Sequence, residues 1–174
     1  MTTSDRLVTD GATLTLVPLT AESLRALAAR PAQPLSQEGL TGLVWPEDDR
    51  RVLRYRAEAL AADPAAWPWL LHAVLDGNGA LVGRIGCHAR PVAGRVEVGY
   101  YVLPAARRRG VATRALASFT RWLRKHGVDT VVLAIGPENA ASLTIARGAG
   151  FVRVGEVCDD EDGLEVVLER TLHG

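Results

Sequence analysis

One junction constrains this chain more than any other stretch of it. Arg95-Val96-Glu97-Val98-Gly99-Tyr100-Tyr101-Val102-Leu103 has the β-branched and aromatic make-up of a strand, and it passes directly into Pro104-Ala105-Ala106-Arg107-Arg108-Arg109-Gly110-Val111-Ala112-Thr113. Val111, Ala115, Leu116, Phe119, Trp122 and Leu123 then recur at helical spacing, and Gly127 can end the helix they define. A strand that turns straight into a helix presents the helix's first N–H groups, which have no internal partners, just beyond the strand end. Gly110 and Ala112 carry little or no side chain, so a ligand can approach the backbone there. The helix dipole favours an anion at this end and disfavours cations, yet Arg107, Arg108 and Arg109 stand together here. The segment therefore reads as a phosphate cradle, in which the backbone N–H groups of Arg108–Thr113 do more than the arginine side chains.

The flanking sequence supplies alternating strand and helix signals. Thr13–Val17 alternates as a strand, and Thr20 can cap a helix whose apolar face includes Leu24 and Leu27. Pro31–Gly42 is loop-like, and Pro46-Glu47-Asp48-Asp49 opens a helix with an expected apolar stripe of Val52, Tyr55, Ala59 and Leu60. Trp67–Asp76 and Ala80–Arg90 read as strands about the hairpin turn Asp76-Gly77-Asn78-Gly79. Thr130–Ile135 is a short apolar run typical of a buried strand, and Asn139 can cap a helix reaching about Ala149. Phe151–Val157 and Leu164–Leu172 close the chain as strands around an acidic turn, Asp159–Gly163. The expectation is one mixed α/β domain over residues 1–174.

Composition narrows the functional classes. Apolar residues make up 48% and charged residues 23%, which is globular and not disordered. Lys+Arg and Asp+Glu both total 20, so the bulk charge gives no reason to expect nucleic acid as a partner. Cys87 and Cys158 form neither a disulfide framework nor a metal cluster, and His72, His88, His126 and His173 show no metal spacing. No signal peptide and no membrane-length apolar run is visible, so a cytoplasmic protein is expected.

Two blocks carry a family resemblance. Arg107-x-x-Gly110-x-Ala112 after a strand, and Asn139-Ala-Ala-Ser142-Leu-Thr-Ile145-Ala146-x-x-x-Gly150-Phe151 beyond the next strand, resemble the acyl-CoA motifs of the GNAT superfamily of N-acetyltransferases. With Glu97-Val98-Gly99-Tyr100-Tyr101, they are similar to the branch that acetylates N-termini of ribosomal proteins (RimJ/RimL-like). The resemblance implies an α+β fold: a mixed, mostly antiparallel sheet of about six or seven strands, the fourth and fifth splayed apart, with helices on both faces. It implies acetyl-CoA as co-substrate, no metal, and a primary amine as acceptor, either a protein N-terminus or a small amine. Pantetheine would lie in the wedge against backbone of Tyr101, Val102 and Leu103, where a bulge is a usual family feature. The diphosphate would rest on Arg107, Arg108, Arg109, Gly110, Val111, Ala112 and Thr113, with Asn139 and Ser142 facing pantetheine from the next helix. Homodimers are frequent among proteins of this kind.

The chemistry asks for a neutral amine and a protonated leaving thiolate. At pH 7.5 an α-amine of pKa near 7.8 is about one-third neutral, but a lysine near 10.4 only about 0.1%, a difference of about 3.5 kcal/mol. Glu97 is the expected base, acting through a water, because the resemblance places it facing the acceptor; otherwise it is a strand carboxylate facing solvent or paired with an arginine such as Arg84. Where many relatives carry a tyrosine as acid, this chain has Ala146, and Ser142 one turn earlier is the substitute. A serine there can also serve capping alone. The missing tyrosine makes a non-catalytic acyl-CoA-binding module the competing reading. Trp45 lies beside the loop expected to border the acceptor pocket, and the acidic turn Asp159–Asp162 would draw cationic amines if it flanks that groove.

Overall fold

Hydrophobic alternation along the strand segments closes into one sheet in the computed structural model, which describes residues 7–8, 14–160 and 163–172. The strands are β1 (Leu7–Val8), β2 (Thr15–Pro18), β3 (His72–Leu75), β4 (Leu81–Cys87), β5 (Arg95–Val102), β6 (Thr130–Ile135), β7 (Val152–Asp159) and β8 (Gly163–Thr171). The helices are α1 (Ala21–Ala29), α2 (Arg50–Ala62), α3 (Trp67–Leu70), α4 (Val111–Lys125) and α5 (Ala140–Gly148). The sheet order is β1-β2-β3-β4-β5-β6-β8-β7, and every neighbouring pair is antiparallel except β5 with β6. The two-residue β1, paired with β2 through Leu7 opposite Leu16, adds to the six or seven strands expected from sequence.

The parallel pair is what opens the fold. β5 and β6 meet only at Arg95↔Thr130, Val96↔Val131 and Glu97↔Val132, and beyond Glu97 each strand continues without the other. This wedge lies between the fourth and fifth of the seven longer strands. Parallel strands need a crossover, and α4 supplies it. The β4–β5 ladder runs from Gly83↔Val102 to Cys87↔Val98 without a register shift, so β5 carries no bulge on that side; shifts occur between Val74 and Leu75 and between Arg153 and Gly155.

Successive residues of the central strands feed opposite layers, whereas β7 at the sheet edge is exposed throughout. Leu16, Val96 and Val98 pack with Leu116, Phe119 and Leu123 of α4 and with Leu143 and Ala146 of α5. On the other face Val17, Ala73 and Leu75 pack against Leu24 and Leu27 of α1 and Leu53 and Leu60 of α2.

Two local expectations fail for identifiable reasons. Trp67–Asp76 is a strand only over His72–Leu75; before it runs a 3₁₀ turn, Pro64–Ala66, and then α3. Asp63 accepts the N–H of Ala65 at 3.1 Å, and Pro64 and Pro68 have no N–H to give a ladder, so the helical turn prevails. In α2 the buried positions are Leu53, Arg56 and Leu60, whereas Tyr55 is exposed and Val52 and Ala59 are half-buried. A charged residue thus occupies the inward face that Tyr55 was expected to share. Thr13, Glu161, Asp162 and His173 lie outside the described residues.

Candidate active site

After β5 the chain makes a 3₁₀ turn over Pro104–Ala106 and then enters the left-handed region twice, at Arg108 (φ 59°) and Gly110 (φ 70°). These reversals deliver the backbone into α4 with no side-chain cap on its first turn. Among the described residues, Arg114 is the first of the helix whose N–H finds a backbone acceptor, the Gly110 carbonyl at 3.1 Å. The N–H groups of Val111, Ala112 and Thr113 remain for a ligand. Arg114, one of the basic residues that cluster in the sequence around Arg107–Arg109 and suggest a local anionic ligand, lies over the same turn. Its Nη1 is 2.9 Å from where a Cβ on Gly110 would sit, and its buried Nε has no partner among the described residues.

A cleft of about 790 Å³ opens between this turn, the end of β5 and the first turn of α5. Of the residues expected to hold the cofactor, Tyr101, Val102, Arg107, Arg108, Gly110, Val111, Ala112, Thr113, Asn139 and Ser142 line it; Leu103 and Arg109 do not. Leu103 donates its N–H to the Val82 carbonyl, and His88 donates to the carbonyl of Glu97. Odd-numbered residues of β5 are therefore bonded to β4, and alternation turns the N–H and C=O of Val98, Tyr100 and Val102 toward the wedge. Of the backbone expected to meet pantetheine, Val102 alone faces that way, and Tyr100 joins it. The Val102 carbonyl already accepts Arg107 Nε at 3.1 Å. The Tyr101 ring lies between the guanidiniums of Arg84 and Arg107, at 5.3 and 5.5 Å, and its hydroxyl accepts from Arg107 Nη2 at 3.3 Å.

Asn139 caps α5 by accepting the Ser142 N–H at 3.1 Å. Ala146, four residues on, is fully buried in the core, so nothing from that position reaches the cleft. From the opposite wall the Tyr100 phenol donates to the Ser142 carbonyl at 3.4 Å. Burial raises its pKa, which keeps the hydroxyl protonated. Sequence reasoning chose Ser142 and passed over Tyr100, because strand patterning does not tell which wall of a wedge a tyrosine will cross.

Glu97, Gly99 and Tyr101 share the other face of β5, and Tyr101 borders both sides. Glu97 does not line the cleft; its Oε1 lies 3.2 Å from His88 Nδ1, with both side chains about half-exposed. Partial burial pushes the Glu97 carboxyl above the usual carboxylate range, and the charge of Arg56 acts in the opposite sense. Arg84 is not its partner. That guanidinium donates to Asp49 Oδ2 at 2.8 Å, and the same oxygen accepts the indole N–H of the buried Trp45 at 3.0 Å. The His88–Glu97 pair follows from hairpin register about the Val92↔Arg95 bridge, a signal that was present in the sequence and went unused. Among the described residues no cluster of three or more His, Cys, Asp or Glu could hold a metal, and no helix is long and apolar enough to cross a membrane.

A wedge in a mixed sheet, with an unpaired helix start at one end and a half-buried carboxylate at the other, is the architecture of an acyltransferase. Residues 13–152 match the acetyltransferase (GNAT) domain, and the chain belongs to that family. Over 66 residues it is 35% identical to the aminoglycoside N(6')-acetyltransferase type 1 of Salmonella typhimurium, a match spanning 38% of this chain and 44% of that enzyme's length. The fold is similar to Mycobacterium smegmatis RimJ in complex with CoA-disulfide (TM-score 0.65, 18% identity, 96% of this chain and 86% of that one). It is also similar to the spermidine/spermine N-acetyltransferase SpeG of Vibrio cholerae (TM-score 0.62, 15% identity, 91% and 92% covered).

Proposed function

We propose that this protein transfers an acetyl group from acetyl-CoA to a primary amine such as a protein N-terminal α-amine. The observation that carries this reading is the run of unpaired N–H groups opening α4 at the head of a cleft that leads into the β5–β6 wedge. The diphosphate rests on the backbone of Val111, Ala112 and Thr113, with Arg108 and Arg114 adding charge. Pantetheine amides pair with the wedge-facing backbone of Tyr100 and Val102. When bound, the thioester supplies an activated acyl carbonyl; the chain's own residues orient it and manage protons.

Glu97 takes the proton of the incoming amine through a water. Its raised pKa makes it a stronger base than an ordinary carboxylate, and His88 holds its position. Tyr100, kept protonated by burial, donates a hydrogen bond to the departing sulfur from the wall opposite Ser142. Incubation with acetyl-CoA and a panel of N-terminal peptides, lysine peptides, polyamines and aminoglycosides, followed by mass spectrometry, tests the assignment. An acetylated product in at least one class is expected. CoA binding with no product in any class overturns it and leaves the second reading, an acyl-CoA-binding module, which the buried Ala146 favours.

A further inference from the structure

Arg56 is the strangest residue in the core. It is only 7% exposed, and its guanidinium has no hydrogen-bonded or ion-paired partner among the described residues; its Nε is fully enclosed. A buried cation without a hydrogen-bonded partner is costly, and Glu97 is the carboxylate whose charge acts on it. Burial and the neighbouring charge of Arg84 lower its pKa to about 10, which leaves it charged at neutral pH. The guanidinium reaches the β5 backbone at Gly99. A Cβ built there would lie 3.7 Å from Arg56 Nη2 and 3.0 Å from His88 Nε2. The missing side chain lets the His88 ring and the Arg56 guanidinium approach the same point of β5. Glu97 is two residues away on the same face, about 7 Å along the strand.

We propose that the acceptor amine carries a carboxylate, which docks on Arg56 above Gly99 while its amine faces Glu97. The span suits an amine and a carboxylate a few bonds apart, as in a free amino acid or a peptide beginning with an acidic residue. Asp159, the other carboxylate whose charge reaches Glu97, adds to the pole that receives the ammonium. The Arg56 charge repels polyamines and aminoglycosides. This inference rests on the acetyltransferase reading, and its test separates the two.

Free amino acids, acidic-N-terminal peptides, their amidated counterparts and spermidine are assayed with wild type, Arg56→Met and Gly99→Ala. Wild type is expected to prefer the carboxylate over the matching amide by roughly tenfold to a hundredfold in kcat/KM, the worth of one charge-assisted bond. The preference between amino acids and peptides identifies the source of the carboxylate. Arg56→Met removes that preference mainly through KM and melts no lower than wild type, because it deletes a buried charge that has no hydrogen-bonded partner. A merely structural arginine would instead lower the melting temperature. Gly99→Ala fills the spot and also removes the preference; it carries the test should Arg56→Met not fold. Equal rates for carboxylate and amide in wild type, or selectivity surviving in both variants, overturn the proposal. If no amine is turned over, thermal stabilisation by carboxylates in the presence of CoA is read instead. A shift lost in Arg56→Met keeps the docking site and sinks only the transferase reading; no shift in wild type sinks the docking site.

Discussion

Replacing Gly110 by glutamate separates ligand binding from folding. The backbone there is left-handed, φ 70°, and a side-chain-bearing residue in that region costs about 1–2 kcal/mol. The new Cβ meets Arg114 Nη1 at 2.9 Å, but that atom ends a long side chain that can swing aside. A carboxylate at a helix N-terminus returns about 0.3–1 kcal/mol through the dipole. The net loss is therefore about 1 kcal/mol, or roughly 2–4 °C in melting temperature for a chain of this size. Binding suffers far more. A carboxylate about 4 Å from a diphosphate oxygen, at an effective dielectric near 20, is repelled by about 4 kcal/mol. At about 1.4 kcal/mol per decade this weakens CoA binding about a thousandfold. Gly110→Ala bears the backbone cost without the charge and should stay within about tenfold of wild type. Titration calorimetry with CoA and differential scanning fluorimetry give both quantities. The reasoning is refuted if Gly110→Glu keeps near-normal affinity, or if Gly110→Ala loses as much as Gly110→Glu.

Three further outcomes are expected. Glu97→Gln should lower kcat about 10²- to 10⁴-fold. Because burial raises the Glu97 pKa, wild-type rates should fall with decreasing pH from above the usual carboxylate range, and the glutamine variant should lose that limb; an unchanged limb means another group is the base. Tyr100→Phe should reduce turnover with CoA affinity preserved, while Ser142→Ala changes little, and the reverse ranking in steady-state kinetics would return the role to Ser142. Asp49→Ala strands the buried Arg84 and the Trp45 indole N–H together, for a loss of about 3–5 kcal/mol by urea denaturation; a loss below about 1 kcal/mol would show that the pair is not structural.

Much of this molecule is local in origin. Apolar spacing along residues 111–123 makes α4, Asp76-Gly77-Asn78-Gly79 turns the β3–β4 hairpin, and Gly110 marks the left-handed step that frees the helix's first N–H groups. Such features depend on neighbours within a few residues, so most of the element order, the left-handed step into α4 and the family were legible along the chain, while α3 and β1 were not. Tertiary structure alone decided what each long side chain meets. Periodicity could not say that α2 would turn Arg56 inward between Leu53 and Leu60, that Tyr100 would reach across to α5, or that Arg84 would choose Asp49 and leave Glu97 to His88. Those pairings join residues brought together by sheet register and helix rotation, which are set by the packing of the whole domain and not by any window along the chain.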